Sequence, residues 1–168
     1  MRYRVAAALA VLLLGLVAGR AASSQTAGPA GGAGVVVERT AITSRTLSVV
    51  ALAALPQVTR VVRLRSGHGD DTARWSGPLL WDVLTASGMV DPAKLPGQVR
   101  RVVRVTGADG YAAVLALAEI SPDFAARPVL LALRREDQPL PDGEIRLIVP
   151  DERRAGRSVR GVVRIAIE

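Results

Sequence analysis

A near-alternation of valine or leucine with arginine and threonine, in two separate segments, constrains this chain more than any other feature. Val58 to Arg65 reads VTRVVRLR and Val99 to Thr106 reads VRRVVRVT. A period of two places Val58, Val62 and Leu64 on one face of a strand together with Arg60. Thr59, Val61, Arg63 and Arg65 fall on the other face. By the same rule Val99, Val103 and Val105 share a side with Arg101. Val129 to Leu133, Ile145 to Val149 and Val162 to Ile167 also read as strands, and in the last of these Val163, Ile165 and Ile167 are expected to face together. Aromatic residues make up only 3% of the 168 residues, so the core has to be built from Val, Leu, Ile and Ala. β-Branched side chains in such a core favour sheet.

Helical signals are few and short. Ser48 to Leu55 is Ala- and Leu-rich and stops at Pro56. Pro78 suits a first helical turn, Leu80, Val83, Leu84 and Ser87 share one face of the helix predicted over Leu79 to Ser87, and Gly88 is placed to end it. A further short helix is expected from Ser121-Pro122 to Ala126. The intervals Ser66 to Arg74 (SGHGDDTAR), Asp91 to Gly97 and Asp137 to Gly143 read as loops. Asp109-Gly110 marks a tight turn ahead of a strand over Tyr111 to Leu117, and Val35 to Val37 reads as the start of an edge strand. Strands without a regular βαβ alternation point to an α+β fold.

The first residues read differently. Arg2 and Arg4 precede an apolar run from Val5 to Ala18, followed by Gly19, Ala21 and Ala22, the pattern of a secretory signal peptide over residues 1–22. Residues 23–34 are Ser, Gly, Ala, Gln, Thr and Pro, the composition of a flexible linker, and the folded domain is expected over residues 35–168. The apolar run is shorter than the roughly 20 residues of a spanning helix, so a cleaved signal is expected, with no membrane span after cleavage, and an uncleaved anchor is the alternative. The expected location is periplasmic or secreted. The formal charge of +7 falls to +4 once Arg2, Arg4 and Arg20 leave, with 19 basic residues against 15 acidic. That modest balance, export and the shortage of stacking aromatics argue against a nucleic-acid partner. The chain has no cysteine, so disulfides are excluded.

Several segments occur in an order that resembles a known family. Leu52-Ala53-Ala54-Leu55-Pro56 precedes the first alternating strand. Trp75-Ser76-Gly77-Pro78-Leu79-Leu80-Trp81-Asp82-Val83-Leu84 resembles a W-x-G-x-x-L-x-x-L-L signature. Asp109-Gly110-Tyr111 is followed by Ile120, then Val129-Leu130-Leu131-Ala132 by Pro139-Leu140, Gly143, Arg146-Leu147-Ile148-Val149-Pro150 and Ser158-Val159-Arg160. Together, over Leu47 to Glu168, these resemble the oxidoreductase molybdopterin-binding domain of sulfite oxidase-like proteins. The resemblance implies an α+β fold, mixed and mostly β with a few short helices. It also implies a bacterial, periplasmic setting, and molybdopterin as the cofactor of full members. In those members the first strand ends in a motif close to Cys-Ala-Gly-Asn, whose cysteine ligates molybdenum, with basic residues beyond it holding the pterin phosphate. Here the run is Arg65-Ser66-Gly67-His68.

An arginine at the cysteine position cannot replace a thiolate, because a guanidinium is permanently cationic and has no lone pair to donate. It suits an anion instead. The expected role is therefore a domain without molybdenum redox catalysis that binds a small anionic ligand or a periplasmic redox partner. The alternatives are an active molybdopterin-dependent oxidoreductase that holds its cofactor without a thiolate, or an accessory subunit of a redox complex. The candidate ligand-binding residues are Arg63, Arg65, Ser66, Gly67 and His68 around the glycine-rich run, with Trp75, Tyr111 and Arg146 able to border a cleft. One histidine beside Asp70 and Asp71 does not make a recognisable metal site, so no metal ligand is assigned.

Overall fold

The structure, a computed structural model, describes residues 33–39, 43–67 and 69–168. The expected signal peptide, nearly all of the linker, and His68 lie outside them. Gly34 already belongs to the first strand.

Among the described residues, eleven strands form three sheets. The largest contains β1 (Gly34–Arg39), β2 (Thr43–Ser48), β5 (Val102–Gly107), β6 (Ala112–Ala116) and β11 (Val162–Ile167), in the order β2-β1-β11-β5-β6. β1 runs parallel to β11, and the other pairs are antiparallel. Val35 to Val37 is thus an interior strand, not an edge. The edge is β2, which the sequence hid: TSRTLS is polar and almost wholly exposed, and it is held by backbone pairing to β1.

The second sheet corrects the largest misreading. Ser66 and the residues from Gly69 to Arg74, expected in a loop, are strand. β3 (Gln57–Ser66) and β4 (Gly69–Pro78) form a hairpin paired along ten residues, from Gln57↔Pro78 to Ser66↔Gly69. Its inner face buries Val62, Leu64, Ala73 and Trp75. Polar and small residues conceal the alternation of β4, and only pairing with β3 makes it visible. β8 (Arg134–Arg135) and β9 (Gln138–Pro139) extend this sheet in the order β3-β4-β8-β9.

β7 (Leu130–Ala132) and β10 (Arg146–Ile148) make a two-stranded ribbon between two cores. Leu131 and Leu147 face the large core, whereas Leu130, Ala132 and Ile148 face the core under the hairpin. Burial on both sides explains why VLLAL and LIV read as continuous apolar runs rather than alternating ones. The large core also holds Val103, Val105 and Leu115 from the main sheet, and the buried face of α2 (Leu80–Ala86). α1 (Val49–Ala53) is capped by the Ser48 hydroxyl, which accepts from the Ala51 N–H.

Two local expectations shift. The helix expected from Ser121 lies earlier, as α3 (Leu117–Ile120), and the chain then turns. In β11 a register shift between Val162 and Arg164 turns Val163 outward, 42% exposed, while Val162 packs inside. A bulge of this kind re-aims one side chain without breaking the strand. Among the described residues no helix is long and apolar enough to cross a membrane.

Candidate functional site

Strand alternation divides the predicted site between the two faces of the β3–β4 hairpin. Arg63 and Arg65 project from the outer face. Arg63 Nε donates to Asp70 Oδ2 at 3.0 Å, and its Nη2 contacts the same oxygen. Arg65 Nε lies 3.9 Å from that oxygen too, so one carboxylate serves two guanidiniums. All three side chains are about half exposed, where such pairs contribute roughly 0.2–1 kcal/mol. Gly67 is exposed, with nothing within 4 Å of where a Cβ would stand, so no cradle surrounds it. The expectations for His68 and for the Ser66 side chain lie outside the described residues.

Beside the outer edge of β3 is a cleft of about 560 Å³, lined by Val61, Val62, Arg63 and Arg65 on one wall and Asp151, Glu152 and Arg153 on the other. The second wall is tied down by ionic contacts. Arg157 Nε donates to Glu152 at 2.7 Å, and its Nη1 donates to both oxygens of Glu119 at 3.2 Å. Arg127 Nη1 donates to Glu119 at 2.9 Å, and the Ala116 N–H donates to it at 3.1 Å. Burial would raise the pKa of Glu119, but the hydrogen bonds from Arg157, Ala116 and Arg127 outweigh it and hold the carboxyl below its ordinary value. Tyr111 belongs to the same bracing. Asp109 Oδ1 accepts its N–H at 2.9 Å, and its phenol donates to the Gly156 carbonyl. Half exposed and outside the lining of this cleft, Tyr111 ties the β5–β6 turn to the segment that forms the wall.

The inner face carries a different cluster. Trp75, named as able to border a cleft though core packing is the default for such a residue, is fully buried in the core under the hairpin. Arg146 Cζ lies 4.8 Å from the Trp75 ring centroid and Arg135 Cζ 5.7 Å, both within cation–π range. Trp75 therefore supports guanidiniums and is itself sealed from solvent. Arg135 donates to Asp71 Oδ1 at 2.6 Å. Arg146 is half-buried, makes no ion pair among the described residues, and keeps its Nε buried without an acceptor. Burial lowers its pKa first and Arg160 second, with Glu144 and Asp71 opposing. It stays charged, since a guanidinium is not deprotonated in proteins. A half-buried cation whose donors no carboxylate engages is costly unless an anion meets it.

Arg135 carries no signal in the sequence, and Arg160 stands there only within the Ser158-Val159-Arg160 segment of the resemblance. Arg135 reaches Trp75 only because β8 pairs with β4 in the register Trp75↔Arg135, and no local pattern carries that information. Among the described residues no three His, Cys, Asp or Glu side chains converge as metal ligands. The donor set does not suit molybdenum: Arg65 stands, half exposed and near Asp70, where the resemblance places a thiolate.

Comparison with known proteins bears on this geometry. The family model described as "Oxidoreductase molybdopterin binding domain" matches residues 34–168. No curated protein matches. Among solved structures, the sulfane dehydrogenase SoxCD from Paracoccus pantotrophus is similar with a TM-score of 0.63 at 16% identity, over 80% of this chain and 37% of that one. At that identity the likeness concerns the fold, and this chain spans little more than a third of the neighbour's length.

Proposed function

The chain belongs to the oxidoreductase molybdopterin-binding domain family, and from that premise we propose that it is an exported, non-redox member that binds a small oxyanion through Arg146. The observation that carries this reading is the half-buried guanidinium stacked on Trp75, with its Nε lacking a protein acceptor. A planar fork of N–H donors matches phosphate, sulfate or carboxylate bidentately. Arg135 and Arg160, both near enough to act on the charge of Arg146, add positive potential. Arg63 and Arg65 suit this role less well, because Asp70 already lies between them. The absence of any cysteine supports a role without molybdenum redox chemistry.

Titration calorimetry with inorganic phosphate and sulfate tests the reading. Saturable binding is expected in the parent protein and in Arg65→Gln, and is expected to disappear in Arg146→Gln while the circular dichroism spectrum is retained. An Arg146→Gln protein that binds as the parent does would sink the site. Molybdenum analysis of protein purified from a molybdenum-replete periplasm tests the redox part, and a stoichiometric content would favour a cofactor held without a thiolate. The mass of the N-terminus in the periplasmic fraction tests export.

A further inference from the structure

We propose that the free edge of β3 accepts an extended acidic segment of a partner protein as an added strand. β3 is ten residues long and outermost in its sheet. Its strand pairing is with β4 alone, and among the described residues no turn or loop backbone bonds to it. Along the other edge the Thr59 carbonyl accepts from Arg60 Nη1 at 3.0 Å, and the alternate N–H and C=O groups of Val61, Arg63 and Arg65 stand ready for another chain. The cleft of about 560 Å³ separates Val61, Arg63 and Arg65 from residues 151–153, while Ala155–Arg157 packs close to β3 beyond it.

Natural edges are often blunted by charge, and the arginines of β3 alone would fit that device. Val61 does not fit it. At 70% exposed, it stands in the middle of the outer-face row Thr59, Val61, Arg63 and Arg65. Residues directly opposite one another on adjacent strands interact, with opposite charges stabilising and like charges destabilising the pair. An added strand would therefore set an apolar residue against Val61 and carboxylates against Arg63 and Arg65. Asp70 is shared by both arginines and leaves an excess of positive charge. On the far wall, Glu152 is engaged by Arg157, and Arg153 lines the cleft together with Asp151. A second copy of this chain fits poorly, because antiparallel pairing centred on Arg63 sets Arg63 against Arg63 and Val61 against Arg65. Backbone bonds would supply affinity and this alternating row would supply selectivity.

The test uses the whole domain and a capped peptide with Val, Glu and Glu at alternate positions and Thr between them. Controls are the same peptide with Lys for Glu and one of scrambled order. Fluorescence anisotropy is expected to show the acidic alternating peptide binding at least tenfold more tightly than either control. Hydrogen exchange is expected to slow at alternate amides within residues 57–66, and Arg63→Glu/Arg65→Glu is expected to transfer the preference to the Lys peptide. The peptide swaps keep the test valid if that variant fails to fold. Arg146→Gln should leave peptide binding intact, separating this surface from the anion site. Equal binding of the scrambled peptide, no binding, or binding without protection of β3 would overturn the proposal. Concentration-dependent dimerisation with protection of β3 in the absence of peptide would overturn it in favour of self-association.

Discussion

Gly77 shows what the W-x-G signature does physically, and replacing it is the sharpest test of the architecture. An alanine Cβ at this position would lie 2.0 Å from the Leu131 carbonyl oxygen and 2.8 Å from both the Leu131 carbonyl carbon and the Ala132 Cα. Ordinary contact begins near 3.4 Å, so the two backbones would have to part by more than an ångström. No rotamer change relieves this, because every clashing atom is main chain. Nor is β7 free to move. It is buried on both faces and paired with β10 through Leu131↔Leu147. Overpacking in cores costs typically 1–3 kcal/mol, and a backbone-on-backbone clash belongs beyond that range, at about 4 kcal/mol. With a urea slope of roughly 2 kcal/mol/M, the midpoint of Gly77→Ala should fall by about 2 M. Gly67→Ala is the matched control. Nothing stands within 4 Å of its Cβ position, so a change within about 1 kcal/mol, on the stabilising side, is expected from the stiffer unfolded chain. A Gly77→Ala midpoint indistinguishable from the parent's would refute the close approach of β4 to β7, and with it the joint between the hairpin and the ribbon.

Two further outcomes follow from the bracing of the cleft wall. The folded pKa of Glu119 is depressed, so between that value and the ordinary one near 4.5 the unfolded chain binds more protons than the folded one. Its contribution is present above the unfolded pKa and is lost as pH falls through the folded one. Glu119→Gln should lower stability by about 1–3 kcal/mol at pH 7 and flatten the acid limb of urea midpoints measured down to pH 3, whereas an unchanged limb would exclude Glu119 as its source. Tyr111→Phe removes the hydrogen bond to Gly156. It should cost about 0.5–1.5 kcal/mol and speed amide exchange in residues 155–158, and unchanged exchange there would argue against the bracing role.

Much of the candidate site was legible as a set of residues, but not as a geometry. Arg63, Arg65, Trp75 and Arg146 all carry recognisable chemistry in the sequence. The period of two already placed Arg63 and Arg65 on the face of β3 opposite Val62 and Leu64, as observed. Where Trp75 falls depended on reading residues 66–74 as a loop. Once they pair as a strand, Trp75 lies across from Arg60 and turns inward, away from the arginines of the outer face. Arg135 had no local signal, since its place beside Trp75 comes from pairing between strands about sixty residues apart.

Sequence alone determined where β3, β5 and β11 run and most of their inward residues, because side-chain period and β-branching are properties of neighbouring residues, although the bulge that turns Val163 outward escaped it. It also ruled out a thiolate ligand, since no fold can supply an absent sulfur. Tertiary structure decided what local pattern cannot hold: that β2 and β4 are strands at all, that a glycine separates two main chains, and which arginines find carboxylates. Each of these depends on contacts between distant residues, and so on register and packing rather than on composition.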